Sequence, residues 1–176
     1  MLTNFVRGIC VVGMAILLLG TSTVAVASAA PIRAELSGAA RQAAGAFTAE
    51  VDFSSLVARD VRGNKCEFTV NGTLNFTGTL EGSAPGTTRA VIFAPCSAAT
   101  TSPPGTFFDV FAFRGTFTGT VHGAPVSGDL TYAGITRAGG AIDAKIILAG
   151  DRAKAVLRAD AVVALGGTYR GHAKAV

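Results

Sequence analysis

Tryptophan is absent from this 176-residue chain, tyrosine occurs only twice, and charged residues make up just 15% of it. Two tyrosines and no tryptophan equip it poorly for the aromatic girdles of an outer-membrane barrel, so a small outer-membrane barrel is a minor alternative. Fifteen Lys and Arg against eleven Asp and Glu give a formal charge of +4. That balance is too mild for a nucleic-acid binder, and no nucleic-acid partner is expected. Histidine is scarce as well: His122 and His172 stand alone, with no HxH or HExxH spacing. No carboxylate pair falls on a shared face, and there is no G-x-S-x-G elbow or phosphate-binding Gly-rich loop, so neither a metal nor a cofactor is expected. With only six prolines and no Ser tracts, the chain does not read as disordered.

The N-terminus carries a targeting segment. Arg7 precedes the apolar run GICVVGMAILLLG, followed by the small-residue stretch TSTVAVASAAP. The run is about thirteen residues, short of the roughly twenty that span a bilayer. Ala27-Ser28-Ala29 has the small-x-small form of a cleavage site, so residues 1–29 read as a signal peptide, bacterial in form, and the mature chain of about 147 residues is the size of one domain. The expected location is extracellular or periplasmic. Cys10 leaves with the signal; Cys66 and Cys96 remain in a compartment where thiols oxidise, and a disulfide is expected between them.

Residues 30–45 form an Ala-rich arm or short helix. From residue 46 to 176 one domain follows, and its period is two. Between Cys66 and Glu81 the even positions are all apolar or Gly (Cys66, Phe68, Val70, Gly72, Leu74, Phe76, Gly78, Leu80) and the odd ones all polar. This predicts one continuous strand. A two-residue turn at Asn71-Gly72 is excluded by register, since it would pair Phe68 with Asn75 on the same face. The motif FTGT recurs at Phe117, with Phe111, Phe113, Phe117 and Val121 in phase, a turn at Gly123-Ala124-Pro125, and Val126, Leu130 and Tyr132 on the return strand. Ile142, Ala144, Ile146 and Leu148 form another face, and a two-residue turn at Gly150-Asp151 sets Leu148 opposite Ala153 and Ile146 opposite Ala155. The alternative is an Ala-rich helix over 151–165. The strands expected are 46–61, 65–81, 88–95, 107–122, 126–134, 140–149, 153–163 and 167–175: an all-β fold, an antiparallel barrel of about eight strands, with a β-sandwich as the alternative. A hairpin turning at 83–86 would set Cys96 opposite about Gly72, leaving the disulfide to be closed through the following loop.

Phe68, Phe76, Phe111, Phe113, Phe117, Tyr132 and Tyr169 fall on the inward phase and are the candidate ligand-binding residues for a small apolar molecule. Inward Gly72, Gly78, Gly115, Gly119 and Gly128 are expected to leave space beside them. Asp109, in TFFDVFAF, is the weak catalytic candidate: on the inward phase it would be a desolvated carboxyl able to act as an acid or base. Its apolar neighbours Phe108, Val110 and Ala112 instead predict a bulge that turns it outward. Lys154, Arg158, Arg170 and Lys174 share the outward phase, and with Arg152 they form either a plain solvated face or a weak contact for anionic cell-surface polymers. A non-catalytic binding or interaction module is the leading expectation, and an isomerase or cyclase acting in the barrel is the alternative.

The repeats FTGTLEG at Phe76–Gly82 and FTGTVHG at Phe117–Gly123, with LGGTYRG at Leu165–Gly171, resemble the barrels of the allene oxide cyclase and dirigent superfamily. The resemblance implies an eight-stranded antiparallel barrel with an apolar interior. It does not carry over a catalytic residue, because none of that family's maps onto a position here.

Overall fold

The structure, a computed structural model, describes residues 39–175. The signal peptide and the first part of the Ala-rich arm lie outside these residues. Eight antiparallel strands close into a barrel in sequence order: β1 (Arg41–Val61), β2 (Lys65–Gly78), β3 (Leu80–Ile92), β4 (Asp109–Val121), β5 (Ala124–Thr136), β6 (Ala141–Gly150), β7 (Ala153–Val162) and β8 (Gly166–Ala175). A one-turn helix, α1 (Cys96–Ala99), sits in the loop between β3 and β4. β1 pairs with both β2 and β8, so the circuit closes and no long edge is left open to other chains.

Alternation produces this arrangement directly. On β7, Ala153, Ala155, Leu157 and Ala159 are buried while Lys154, Val156, Arg158 and Asp160 are exposed. One apolar set lies inside every strand, and burying each large member contributes about 1.5–3 kcal/mol. Apolar inside and polar outside is the reverse of a lipid-spanning barrel, whose outer face must be apolar.

Several boundaries differ from the expectations above. Residues 65–81 are not one strand. The chain reverses around Thr79, pairing Phe76 with Gly82 and Leu74 with Ala84. Pairs in this hairpin join even positions to even positions, so the apolar phase passes through the turn without a fault, and alternation alone could not reveal it. Gly78 takes φ +99° at the bend, and Thr79 is tied down by hydrogen bonds: its N–H donates to Ala44 O at 3.0 Å, and its carbonyl accepts from His122 N at 2.9 Å. Arg41–Gly45 belong to β1, not to an arm. The β4–β5 turn lies at His122-Gly123, both with positive φ as a tight I′ hairpin requires. Residues 153–162 are strand, not helix, but their register is shifted by two from the expected one, with Leu148 opposite Ala155 and Ile146 opposite Leu157. Apolar meets apolar in either register and both turns have two residues, so the registers differ only in the turn's position, 151–152 in place of 150–151.

The barrel has two unlike ends. One carries the short turns at Thr79, 122–123 and 151–152 together with the strand termini at Arg41 and Ala175. The other, the cap end, carries the turns at 62–64, 137–140 and 163–165 and the long 93–108 loop. Cys66 and Cys96 form the expected disulfide, with Cα atoms 4.7 Å apart. It pins α1 to the start of β2, where Cys66, Ile92, Ala94 and Ala99 build a small second core. The loop then reaches the neighbouring turn, where Gly139 N donates to Gly105 O at 2.9 Å and Val163 N donates to Gly140 O at 3.0 Å.

Candidate ligand-binding chamber

The interior divides into a filled half and a hollow half. At the end away from the cap, Phe76 packs edge-on to Phe117 with ring centroids 5.9 Å apart and to Tyr169 at 6.0 Å. Phe117, Leu80, Val121, Leu130 and Leu148 there are almost wholly removed from solvent. The Tyr169 hydroxyl accepts from Leu80 N at 2.8 Å and donates to Thr77 O at 3.0 Å, locking β8 to the β2–β3 hairpin. Burial raises the Tyr169 phenol pKa above its ordinary value, and its hydrogen bonds with backbone near Leu80 and Thr79 partly oppose this.

The inward glycines do not leave open space. A Cβ on Gly45 would collide with the Tyr169 hydroxyl, and one on Gly119 would collide with Glu81 O. Gly86 and Gly115 pair across β3 and β4 under the Phe113 ring. These glycines let strands and aromatic rings approach closely.

Toward the cap end a cavity of about 180 Å³ opens, lined by Phe47, Phe68, Leu74, Phe111, Phe113, Tyr132, Asp109, Thr136 and Ile142, with Pro104, Gly105, Val163 and Ala164 at its roof. Of the seven candidate aromatics, Phe68, Phe111, Phe113 and Tyr132 line this chamber. Phe76, Phe117 and Tyr169 do not; they fill the opposite end. Phe47, missed in the sequence reading although it lies on the inward phase of β1, stacks on Phe76 at 5.6 Å and meets Tyr132 edge-on at 5.3 Å, so it forms part of the chamber floor.

One wall comes from a local break in β1. Asp52 pairs with Asn71 and Val57 with Thr69, so residues 53–56 stand against Val70 alone. Side-chain hydrogen bonds fix this bulge: the Ser54 amide and hydroxyl donate to Asp52 Oδ1, the Ser55 hydroxyl donates to Asp52 O at 2.7 Å, and Asn71 N donates to Ser55 Oγ at 2.8 Å. The bulge carries Phe53 and Leu56 to the chamber. Phe53 is exposed, as are Val57, Val162 and Leu165. The sequence signal was the run Asp52-Phe53-Ser54-Ser55-Leu56, where the apolar phase slips from odd to even.

Asp109 points inward, and the expected outward bulge is not formed. It pairs with Thr136 in unbroken register through β4 and β5, on the face of Phe111 and Phe113, and is 8% exposed. Loss of solvent pushes its pKa up to about 6, with the Thr136 hydroxyl pulling the other way. Tyr132, 5% exposed, meets the Phe111 ring edge-on at 5.0 Å. Burial holds its phenol far above the ordinary value, so it stays protonated. Asp109 Oδ1 and Tyr132 Oη both lack a hydrogen-bond partner; His122 Nε2, far away at the β4–β5 turn, is the third such buried atom among the described residues. Both residues line the chamber.

The late basic residues do come together. Lys154 sits opposite Lys174, and Arg158 opposite Arg170, on β7 and β8. Arg158 contacts Asp143 at 3.1 Å, and Arg170 approaches Asp160 at 3.8 Å, while no salt bridge engages the lysine pair among the described residues. No cluster of three or more metal-ligating side chains exists among the described residues.

Fold and site define a closed eight-stranded barrel with a capped apolar chamber, on whose lining Asp109 Oδ1 and Tyr132 Oη have no hydrogen-bond partner among the described residues. No protein-family model matches the chain, and no curated protein matches it.

Proposed function

We propose that this is an exported binding protein that holds a small, mainly apolar molecule in the chamber at its cap end, without catalysis of its own. The observation that carries the reading is the contrast between the two halves of one interior. Aromatic packing fills the end around Phe117, yet the residues around Phe68, Phe111 and Tyr132 leave about 180 Å³ that their own rings do not occupy. Protein cores close such voids by default, because an unfilled cavity forfeits dispersion contacts. Export rests on the signal-like N-terminus, and the Cys66–Cys96 disulfide is compatible with an oxidising compartment. The likeness of the FTGT repeats to allene oxide cyclase-type barrels belongs to the same proposal.

Mass spectrometry of a solvent extract from the purified protein tests it. A stoichiometric apolar compound is expected. An empty extract, with a crystal structure in which rotated side chains fill the chamber, would remove the carrier reading.

The inward carboxyl favours a second reading: an isomerase or cyclase working inside the barrel with Asp109 or Tyr132 as its acid or base. Turnover that Asp109→Asn abolishes while binding persists would establish it. The unpaired lysines also support weak contact with anionic cell-surface polymers. Such binding should weaken steeply between low and physiological salt, and Lys154→Glu/Lys174→Glu should bind more weakly at low salt with a shallower salt dependence.

A further inference from the structure

Asp109 is the one carboxyl buried on the chamber lining among the described residues. The residue is 8% exposed, its Oδ1 is buried without a hydrogen-bond partner among the described residues, and it lines the chamber together with the rings of Phe68, Phe111, Phe113 and Tyr132. No basic residue lines that space among the described residues. β3 faces Asp109 with Ile92, β5 with Thr136, β6 contributes Ile142, and the roof contributes Pro104 and Gly105. Arg137, next along from Thr136, is exposed and does not line the chamber. The remaining titratable groups on the lining are Tyr132, deeper in, and Glu50, which is exposed and accepts a hydrogen bond from the Asn75 amide at 2.9 Å. An ionised carboxylate in such surroundings is completed by a cation that brings both a charge and a donor. Aromatic faces around it favour an ammonium over other cations of that size. The volume fixes the scale, since a cavity of about 150 Å³ holds a single benzene ring.

We propose that the chamber's ligand is a one-ring or short-chain amine whose ammonium pairs with Asp109 while its hydrocarbon part lies among the aromatic rings. This rests on the chamber reading above.

The test uses four probes that share one ring and differ in the polar group: toluene, benzyl alcohol, benzylamine and benzoate, titrated calorimetrically into the full mature protein. Benzylamine is expected to bind at least about tenfold more tightly than toluene or benzyl alcohol, with benzoate weakest. Asp109→Asn should erase the amine's advantage and leave toluene unchanged. In the unmutated protein, benzylamine should weaken as pH falls from 8 to 5 while toluene holds, which tests the same point should the variant fail to fold. Toluene and benzyl alcohol binding as well as benzylamine would overturn the amine assignment and leave the chamber reading standing. No binding by any of the four would overturn both.

Discussion

Asp109 and Tyr169 show how differently a buried polar group can be handled. The Tyr169 hydroxyl is satisfied by the Leu80 amide and the Thr77 carbonyl. Tyr169→Phe would strand a buried amide, and a loss of about 1–3 kcal/mol is expected, read as a lower urea midpoint at unchanged slope. Asp109 has no such partner for Oδ1. Its folded pKa, about 6, lies above the unfolded value near 3.8, so between these the native state binds more protons than the unfolded chain. Stability then falls as pH rises through that window, by on the order of 3 kcal/mol once the group is fully ionised. Asp109→Asn should match the parent near pH 4, exceed it in melting temperature at pH 7.5, and lose the slope between. The inward phase of Asp109 was visible in the sequence, because Phe111 and Phe113 share it. What the sequence could not decide was whether apolar residues on both phases meant a bulge or merely a strand with some exposed apolar side chains. Val110, 46% exposed, answers that.

At the scale of elements, period-two alternation identified every strand of the barrel in outline, since each buries one face. It could not place the hairpin at Thr79, whose paired residues share parity, nor choose between β7 registers two residues apart, which keep the same side chains inward. The β1 bulge was hidden for another reason: its geometry depends on Ser55 bridging Asp52 to Asn71, a contact between residues on two strands. The disulfide was legible from compartment logic, although the path to it was misjudged. Cys66 pairs with the end of β3 at Ile92, and Cys96 lies just beyond on α1. The ring it closes spans 30 residues, for which chain entropy gives about 3–4 kcal/mol. Cys66→Ser/Cys96→Ser should lose stability of that order in urea unfolding. The same pair should speed amide hydrogen exchange in the 93–108 loop well before it affects β4 or β5.

For the whole molecule, the fold was readable because its core is a single interior to which each strand contributes alternate residues. The hollow was not, because inward glycines and aromatics fit either a filled or an open barrel. The difference lies in which ring covers which glycine: Phe113 lies over Gly86 and Gly115, while the chamber beyond it is roofed by a loop that belongs to no strand. The central claim is that the cap-end half alone accepts a guest. Two-dimensional NMR of the folded protein titrated with toluene and benzylamine tests this most directly. Saturable shifts are predicted at Phe68, Asp109, Phe111, Phe113 and Tyr132, with Phe76, Phe117 and Tyr169 still. Unchanged spectra, or shifts spread over both ends alike, would contradict the account.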